Sequence, residues 1–554
     1  MARPQPQPKS SGLPFRSRLV DVSAQAGLRS PTVYGRDDRK DYILETIGCG
    51  CAFIDYDNDG WPDIFILCGT RLEDAPPDST NRLYHNNRDG TFTDVTKEAG
   101  LWKTGWASGV CVGDYDNDGY DDLFVTYYGQ NILYRNNGDG TFTDATEGAG
   151  LVREGKNWGA GCTFLDYDRD GHLDLFISNY LEFDPRQVPK PGQAANCNWK
   201  GIAVNCGPRG LPPGQHLLYR NDGKGVFTDV SESSGISKAT GSYGMTAVAA
   251  DFDNDGWPDI FVACDSTPSF YFRNQRDGTF AEEALPRGVA LNEDGMEQAG
   301  MGVGVGDFDL DGDLDIFKTH FSDDSSILYR NDGKGNFEDV TVRAGIAVET
   351  RYVGWGTGIT DLDNDGRPDL FCVTGSVYPE IEKHLPQYPY RTPRLVFRGL
   401  AGDRFEELIE EAGPGVAERH TSRGCAFGDF DNDGDIDILI VNLNEPPSLL
   451  RNDVSGSNSW LKVKLIGTKS NRSAIGARVT AIYGGKRQAQ VVLSQSSFYS
   501  ANELRLHFGL GLSKQADLEV RWRSGREDTF RALAANHLIV IKEGHGIMER
   551  KKLR

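Results

Sequence analysis

Several features that would place this chain in a familiar class are missing from its 554 residues. No apolar run is long enough to span a membrane as a helix. The N-terminal stretch has no apolar h-region, so we expect no signal peptide, and instead a flexible Pro-rich tail over residues 1–14. No nucleophile motif, phosphate-binding loop or nucleotide fingerprint is present. No standard enzyme class is therefore indicated by a motif.

Basic residues are too few to balance the acidic ones. The formal net charge is −22, from 59 basic and 81 acidic residues, which argues against nucleic acid or an anionic membrane as a partner. The imbalance is uneven, because residues 459–554 carry 18 basic and 7 acidic residues and the rest of the chain is left at −33. We expect the basic C-terminal part either to dock on the acidic body or to face another acidic partner.

Cysteine is sparse, and none of the ten cysteines lies in a CxxC or Cys/His zinc pattern. Cys197 and Cys206 flank a short loop inside an insertion. They either form a disulfide, which would require an oxidising compartment, or remain free thiols. Four others stand three or four residues before an acidic loop, where cysteine serves as a small buried hydrophobe: Cys51, Cys111, Cys162 and Cys425.

What the chain does have is a nine-residue acidic loop, first seen from Asp55 to Asp63 as Asp-Tyr-Asp-Asn-Asp-Gly-Trp-Pro-Asp. Asp stands at positions 1, 3, 5 and 9, and Gly60 at position 6 lets the chain turn sharply over an ion. Calcium takes about 6–8 oxygen ligands, which such a loop can supply from alternate side chains and a backbone carbonyl. No Glu stands at position 12 and the flanks read as strands, so this is not an EF-hand.

The loop occurs seven times, with every Asp and the Gly retained. A solvated acidic turn would account for one copy, but seven complete copies favour a metal role, and we predict up to seven Ca2+ ions. The predicted ligands in the first four loops are Asp55, Asp57, Asp59, Asp63, Asp114, Asp116, Asp118, Asp122, Asp166, Asp168, Asp170, Asp174, Asp251, Asp253, Asp255 and Asp259. Those in the last three are Asp307, Asp309, Asp311, Asp315, Asp361, Asp363, Asp365, Asp369, Asp429, Asp431, Asp433 and Asp437.

The loops mark an internal repeat, with 52 to 85 residues between successive first Asp residues. In each unit an apolar strand precedes the loop and another follows it. A Leu-Tyr-Arg-Asn strand, a Gly-containing turn and a Phe-x-Asp strand come next. Four short strands repeated radially form a β-propeller. We predict an all-β fold with a seven-bladed propeller over residues 15–457, in which a strand at Leu19 completes the last blade.

The repeat stops at about residue 458. Short alternating segments then predict a second, smaller all-β domain over residues 458–545. The last residues, 546–554, form a basic tail that we expect to be disordered.

The repeats resemble the FG-GAP/VCBS repeats of integrin α-subunit propellers. The C-terminal part resembles the ASPIC/UnbV domain in three segments, which begin at Ser494 (Ser-Gln-Ser-Ser-Phe-Tyr-Ser), Leu506 (Leu-His-Phe-Gly-Leu-Gly) and Val520 (Val-Arg-Trp-Arg-Ser-Gly). The combination looks like the cartilage acidic protein family. One departure is Arg523, where the family pattern has Pro after Trp. The resemblance implies calcium binding by side chains at positions 1, 3, 5 and 9 and by the carbonyl at position 7. It also implies an extracellular or periplasmic location.

A ligand site is predicted on the face opposite the acidic loops. Aligned on the first Asp of each loop, residues eight to ten positions earlier supply aromatic and charged groups around the central channel. The alternative is that the aromatics pack beneath a solvated rim. The candidate ligand-binding residues are Trp106, Trp158, Tyr243, Lys156, Gln298 and Tyr352. The candidate acid–base residues are Glu45, Glu297, Arg351, Arg419 and His420.

Three functions compete on this evidence. The first is a calcium-stabilised binding or adhesion module that recognises a protein or glycan on the face opposite the calcium loops. The second is a calcium-dependent enzyme with its site at the channel rim, for example in natural-product tailoring of a small molecule. The third is a structural or envelope protein without a discrete ligand.

Overall fold

Short antiparallel strands and tight turns make up most of the chain, as the sequence predicts. The structure is a computed structural model that describes residues 11–155, 157–348, 350–408 and 410–553. The short helices are α1 (Ser23–Ala26), α2 (Thr341–Ala344) and α3 (Pro414–Ala417). Single 3-10 turns span Ile43–Glu45, Ala195–Cys197, Ile236–Lys238 and Ile381–Lys383. No helix among the described residues has the length and apolarity needed to cross a membrane.

The repeat region forms seven four-stranded sheets within the described residues. β1 is Leu19–Asp21. Sheet 1 is β2 (Cys51–Ile54), β3 (Asp63–Ile66), β4 (Arg82–Asn86) and β5 (Phe92–Asp94). Sheet 2 is β6 (Trp106–Gly113), β7 (Asp122–Tyr128), β8 (Ile132–Asn136) and β9 (Phe142–Asp144). Sheet 3 is β10 (Gly159–Leu165), β11 (Asp174–Asn179), β14 (Leu217–Asn221) and β15 (Phe227–Asp229), and its insertion carries the hairpin β12 (Asn198–Trp199) and β13 (Ile202–Ala203).

The remaining sheets follow the same plan. Sheet 4 is β16 (Tyr243–Ala250), β17 (Asp259–Asp265), β18 (Phe270–Asn274) and β19 (Phe280–Glu282). Sheet 5 is β20 (Val303–Gly306), β21 (Asp315–Lys318), β22 (Ile327–Asn331) and β23 (Phe337–Asp339). Sheet 6 is β24 (Gly354–Thr360), β25 (Asp369–Thr374), β26 (Leu395–Leu400) and β27 (Arg404–Leu408). Sheet 7 is β28 (Ser422–Gly428), β29 (Asp437–Asn442), β30 (Ser448–Asn452) and β1.

The first strands of the sheets form a closed ring around a central channel. They contact one another in the order β2, β6, β10, β16, β20, β24, β28 and back to β2. Small residues make this possible, because a Cβ at Gly161 would lie 2.5 Å from the carbonyl oxygen of Met245 in the next sheet. β1 pairs with β30, with Leu19 opposite Asn452. The predicted β-propeller is confirmed, and the N-terminal strand completes the last sheet as predicted.

The C-terminal domain contains two further four-stranded sheets. The first has the order β34 (Leu506–Gly511), β31 (Ser459–Ile466), β37 (His537–Lys542) and β38 (Gly546–Lys551). The second has the order β33 (Lys486–Val491), β32 (Arg478–Tyr483), β35 (Gln515–Arg521) and β36 (Glu527–Ala534). The core of the C-terminal domain contains Val463, Val479, Phe508 and Trp522, which pack together with apolar residues of propeller sheets 2 and 3.

Residues 11–14 and 546–553 are more ordered than the sequence predicts. The expected disordered tail is wrong, because β38 pairs with β37 and Leu553 is buried against Trp460. The flexible tail is also wrong for its last residues. The Ser11 hydroxyl donates to Glu406 (2.6 Å), and Arg398 donates to the Leu13 carbonyl (2.7 Å). Residues 1–10 lie outside the described residues.

The C-terminal domain docks on the face that carries the acidic loops. The Lys462 ammonium lies 3.2 Å from Asp429, and both side chains are fully buried. Lys464 lies 3.5 Å from Asp55, and the Ala489 amide donates to Asp307 (2.8 Å). Charge complementarity between the two parts therefore acts within the chain, which is the first of the two alternatives for its basic C-terminal region.

A segment of this domain, residues 494–501, enters the channel and fills its axis. The amide and carbonyl of Ser497 bond to Val303 in sheet 5 (2.7 and 2.6 Å). The Tyr499 carbonyl accepts from Val110 in sheet 2 (3.0 Å), and the Gln495 side chain accepts from Cys162 in sheet 3 (3.0 Å). The first strands have free edges along the channel, so this segment satisfies backbone groups that would otherwise be buried without partners.

Replacing Phe498 tests whether the segment holds the two domains together. Its fully buried ring stacks on Tyr499 (4.0 Å between centroids) and meets Trp355 edge-on (5.0 Å). We expect Phe498→Ala to lower the free energy of unfolding by about 3–5 kcal/mol through lost contacts and a cavity. Urea unfolding at saturating calcium measures the change. Leu512→Ala is the control, because that side chain is 73% exposed. Equal losses in the two variants would contradict the assigned role of the segment.

Candidate metal centres and the opposite face

Each acidic loop lies between the first and second strand of a sheet. The loop starts directly after the first strand, and its position-9 Asp is the first residue of the second strand, as at Asp63 in β3 and Asp437 in β29. Because all seven connections are of the same kind, the loops share one face of the ring. The structure therefore places the predicted ligands where the sequence indicates.

The carboxylates of a loop converge on one point. In the first three loops, oxygens from positions 1, 3 and 9 lie within 4.8 Å of one another, and in the fourth the same holds for positions 1, 3 and 5. The position-9 group is the deepest, since Asp63 is 1% exposed and Asp122 is fully buried. Sheet 1 adds His85, whose Nδ1 lies 3.3 Å from Asp63. A cluster of hard oxygen ligands of this kind is able to hold a divalent cation.

Unpartnered oxygens show that these groups fit a cation. In the loops of sheets 3, 4 and 5, the position-1 carboxylate uses Oδ2 to accept the amide of the position-6 glycine, at 3.0–3.3 Å. Its Oδ1 is buried and has no hydrogen-bond partner. A buried carboxylate oxygen without a donor is unfavourable, so a bound cation is its natural partner. The three residues are Asp166, Asp251 and Asp307.

Burial and mutual repulsion change the acidity of these groups. Loss of solvent raises the pKa of Asp63, Asp114 and Asp166 to about 7 and that of Asp307 to about 8, and neighbouring carboxylates add to the effect at Asp114 and Asp307. Without a cation, the loops therefore hold protons near neutral pH. A divalent cation would replace those protons and keep the carboxylates ionised.

Successive loops are linked through their position-4 residues. That residue has a positive φ in every loop, for example 58° at Asn58 and 56° at Asn432, and Asn tolerates this conformation better than most residues. The Asn58 side chain donates to the carbonyl of Gly119 in the next loop (2.9 Å), and Asn432 does the same to Gly60 across the ring closure (3.1 Å). The loop geometry is therefore shared between neighbours.

A second asparagine was missed by the sequence analysis, which took Leu-Tyr-Arg-Asn only as a strand. The backbone N–H of Asn136 donates to the side chain of the position-9 Asp122 (2.7 Å). Its side-chain amide donates to the backbone carbonyl of Tyr56 in the preceding loop (2.8 Å). The same arrangement recurs at Asn86, Asn221, Asn274, Asn331 and Asn452. Its recurrence before the turn in six of the seven sheets is the sequence signal that would have revealed it. Sheet 6 has Gly399 at this position.

On the opposite face, two candidate residues have structural roles. Trp158 is fully buried, donates from Nε1 to the Ser108 hydroxyl (3.3 Å) and packs on Tyr180 at 5.0 Å. Glu45 is 5% exposed, and its carboxylate accepts the amides of Asp41 (2.9 Å) and Tyr42. Burial raises the pKa of Glu45. Packing and turn capping therefore already use both groups, and the assignment of Trp158 to ligand binding and of Glu45 to acid–base chemistry stays a prediction.

The other aromatic candidates are mostly buried. Trp106 and Tyr243 are each 7% exposed. Trp106 packs edge-on against Tyr34 at 5.1 Å, and the Tyr243 hydroxyl donates to the Leu211 carbonyl (3.0 Å). These contacts agree with the alternative that the aromatics pack beneath a polar rim.

The polar candidates bind several different partners. Glu297 pairs with Arg209 (2.7 Å), and Gln298 donates to Asp324. His420 contacts Glu445 through Nδ1 (2.6 Å).

Four further candidates remain from the two sets predicted on the sequence. Arg351 lies over the ring of the half-buried Tyr352, with 5.3 Å to the ring centroid. Arg419 is exposed. Lys156 lies outside the described residues.

An insertion in sheet 3, residues 184–215, extends across this face. Cys197 and Cys206 form a disulfide within it. The Trp199 ring packs on Phe321 (6.1 Å between centroids), which lies in the connection between β21 and β22 of sheet 5. It also packs on Tyr388 (5.0 Å), which lies in the connection between β25 and β26 of sheet 6. The insertion therefore bridges the connections of three sheets at the end of the channel away from the acidic loops.

Comparison with known families matches both parts of the chain. The FG-GAP-like repeat model matches residues 55–125, 114–177, 210–262, 251–318 and 307–372. The ASPIC and UnbV model matches residues 467–547. Cartilage acidic protein 1 of Xenopus tropicalis is 27% identical over 382 residues, which cover 66% of this chain and 52% of that protein. The human protein of the same name is 29% identical over 312 residues, 54% of this chain and 44% of that protein. The chain spans about half the length of these curated relatives.

Solved structures with related folds are more distant. A lectin from Agrocybe aegerita that recognises non-reducing terminal N-acetylglucosamine is 16% identical, with a TM-score of 0.38 over 73% of this chain and 93% of the lectin. BBS1N in complex with ARL6DN is 10% identical, with a TM-score of 0.41 over 78% of this chain and 97% of that chain.

Removal of calcium should make stability depend on pH in an unusual direction. Carboxyls whose pKa rises to about 7 in the folded state, such as Asp63, Asp114 and Asp166, have an unfolded pKa near 3.9. They destabilise the metal-free fold increasingly as pH rises from about 4 to about 8. We expect protein in EDTA to melt at a lower temperature at pH 8 than at pH 5.5. Scanning calorimetry checks this.

Calcium should reverse that dependence, because protons compete with the ion for the same oxygens. Ligand at about 100 times its dissociation constant adds about 2.7 kcal/mol per site, so the calcium-loaded protein should melt higher at pH 8. Magnesium at equal concentration and ionic strength is the control. A melting temperature unaffected by EDTA at pH 8 would contradict the metal sites.

The Asn136 link should stabilise two neighbouring loops together. Asn136→Ala leaves the buried carbonyl of Tyr56 without this donor, and we expect a loss of about 1–3 kcal/mol in calcium-saturated urea unfolding. Asn137→Ala is a matched control, because its side chain is exposed and bonds only within the following turn. If Asn137→Ala proves as costly as Asn136→Ala, the link between loops carries no special stability.

Proposed function

Because the chain belongs to the FG-GAP-like repeat family and carries an ASPIC and UnbV domain, we propose that it is a calcium-stabilised binding and adhesion module. The partner is a protein or glycan that binds the face opposite the calcium loops. The observation that carries this proposal is the position of the C-terminal domain. It lies on the loop face, with Lys462 on Asp429 and Lys464 on Asp55, and its segment 494–501 fills the channel.

The opposite face has the composition of a recognition surface. Its rim carries ion pairs such as Arg209 with Glu297, whose side chains are 60% and 44% exposed. The Tyr388 hydroxyl donates to Asp323 (2.7 Å) beside Lys200. Aromatic and arginine side chains within a polar rim are typical of protein–protein interfaces.

We place this function in an extracellular or periplasmic compartment. The disulfide between Cys197 and Cys206 requires an oxidising compartment. It lies in the insertion that crosses the proposed binding face, where it would hold that segment in place. Extracellular calcium modules work with dissociation constants of about 0.1–1 mM, so weak loops would still be filled there.

An enzyme at the channel rim is supported less well by the contacts. Acid–base catalysis requires groups that reach one substrate atom. The carboxylate of Glu45 caps its own turn, Glu297 pairs with Arg209, and His420 contacts Glu445. A small-molecule reaction nevertheless remains one outcome of the experiment below.

The test compares the wild type with the triple variant Glu297→Ala, Arg351→Ala and His420→Ala. Calcium-loaded protein is immobilised and exposed to an extract of the source organism, and the retained proteins and glycans are identified by mass spectrometry. We expect a partner that the wild type retains at least about tenfold better, since rim and hot-spot charges together contribute this much. The melting temperature shows that the variant is folded.

The matched control changes three exposed charges on the C-terminal domain, Arg531→Ala, Glu549→Ala and Lys552→Ala. It should retain the partner as the wild type does. Equal retention by both triple variants would place the binding surface elsewhere. Consumption of a metabolite only by the wild type would favour the enzyme instead.

A further inference from the structure

A cationic cleft lies between the C-terminal domain and the acidic loops of sheets 3 and 4. Its volume is about 320 Å3. Four arginines line it: Arg169, Arg478, Arg521 and Arg523. Arg169 occupies position 4 of its loop, where five of the seven loops have Asn. Four guanidinium groups around one cleft repel each other unless anions lie among them.

Arg523 is the most unusual member of this group. Its side chain is 5% exposed, and its Nε and Nη2 have no hydrogen-bond partner among the described residues. Burial lowers the pKa of its guanidinium. The negative charges of Asp251 and Asp166 raise that pKa and so offset part of the effect of burial. A buried cation with unused donors is costly. Arg523 is also the residue at which the sequence departs from the family pattern.

The surrounding groups fix two of the other three arginines at the cleft. The Arg169 Nε donates to the backbone carbonyl of Arg523 (2.9 Å), and its guanidinium lies 5.3 Å from the Trp257 ring centroid. Arg478 contacts Asn254, and its Nη2 lies 3.6 Å from Asp313. The cleft is therefore assembled from both domains, and these contacts hold Arg169 and Arg478 in place at its wall.

Two of the three acidic residues at the cleft pair with arginine side chains. Asp255 pairs with Arg276 (2.7 Å) and Arg273 (3.5 Å), and Glu527 pairs with Arg521 (3.2 Å). Asp251 is a predicted calcium ligand. Four arginines stand against three acidic residues in the lining, so the cleft has a net positive charge. Arg521 is its exposed cation, at 44%, and Arg523 is its buried one.

We propose that this cleft binds a small oxyanion, namely a sulfate group, through the guanidinium of Arg523 together with Arg521 and Arg169. Arginine presents paired N–H donors that match the oxygens of such an anion. The volume exceeds that of one sulfate ion, so the group can also be an ester on a sugar. The site lies on the calcium-loop side, and so it is separate from the binding face proposed above.

Isothermal titration calorimetry of the calcium-loaded full chain tests the site, with sodium sulfate and glucose 6-sulfate as separate probes at constant ionic strength. Phosphate is unsuitable because it precipitates calcium. We expect both probes to bind, and tighter binding of the ester than of free sulfate would favour a sulfated sugar as the ligand. Arg523→Met should weaken binding at least about tenfold, because a charge-assisted contact is lost.

Two further variants keep the test independent of folding defects. Glu527→Gln removes a competing carboxylate from the cleft and should strengthen sulfate binding, which a damaged fold would not do. Arg521→Met should weaken it and is the substitute if Arg523→Met does not fold, since the Arg521 side chain is 44% exposed. Arg531→Met, with a side chain 74% exposed and paired to Asp517, is the matched control and should bind normally. No sulfate binding to the wild type, or equal binding by Arg523→Met, would overturn the proposal.

Discussion

Repulsion among the carboxylates in each loop is the constraint on which the rest of this structure depends. Four Asp side chains are brought together at the rim of every sheet, and the deepest of them, such as Asp63 and Asp122, are almost completely buried. Protons or cations must neutralise them before the strands on either side can pair. Asn136 and Asn432 then bind each loop to its neighbour. Neutralising one loop therefore supports the next, and the ring closes as one unit.

The C-terminal domain, which lies outside the ring of strands, also compensates the negative charge of the loops. Its lysines place positive charge directly on position-1 carboxylates, as Lys462 does at Asp429. In return, the propeller gives the segment around Phe498 a channel lined with unpaired strand edges. Ion pairs and hydrogen bonds join the two parts, so the C-terminal domain packs as part of the propeller and covers its acidic face.

Local sequence patterns predicted the loops and strands, but the sequence did not predict the long-range contacts between them. The loop spacing predicted where strands such as β3 and β29 begin, because each nine-residue acidic loop joins two neighbouring strands and its last Asp is the first residue of the second strand. The strand at Leu19 was predictable since the last unit lacked one. The partner of Asn136 lies 80 residues away, and the channel segment reaches strands almost 450 residues distant, as Cys51 shows with Ser500. No periodicity encodes such pairs. Trp158 was predicted to face a ligand because aligning the repeats on their first Asp predicts how far along the channel a residue lies. The alignment does not predict the direction of its side chain.

Closure of the channel at both ends limits where any ligand can bind. Residues 494–501 occupy its axis on the loop side, and the disulfide-bonded insertion spans the other end through Trp199. A partner on the proposed face would therefore meet the outer surface of that insertion and its neighbours, whereas a smaller ligand would fit a space between the two domains. The cleft at Arg523 is such a space, and it arises because the basic domain overcompensates the acidic loops at that point. The same charge excess that docks the domain thus leaves cationic groups available for an anion.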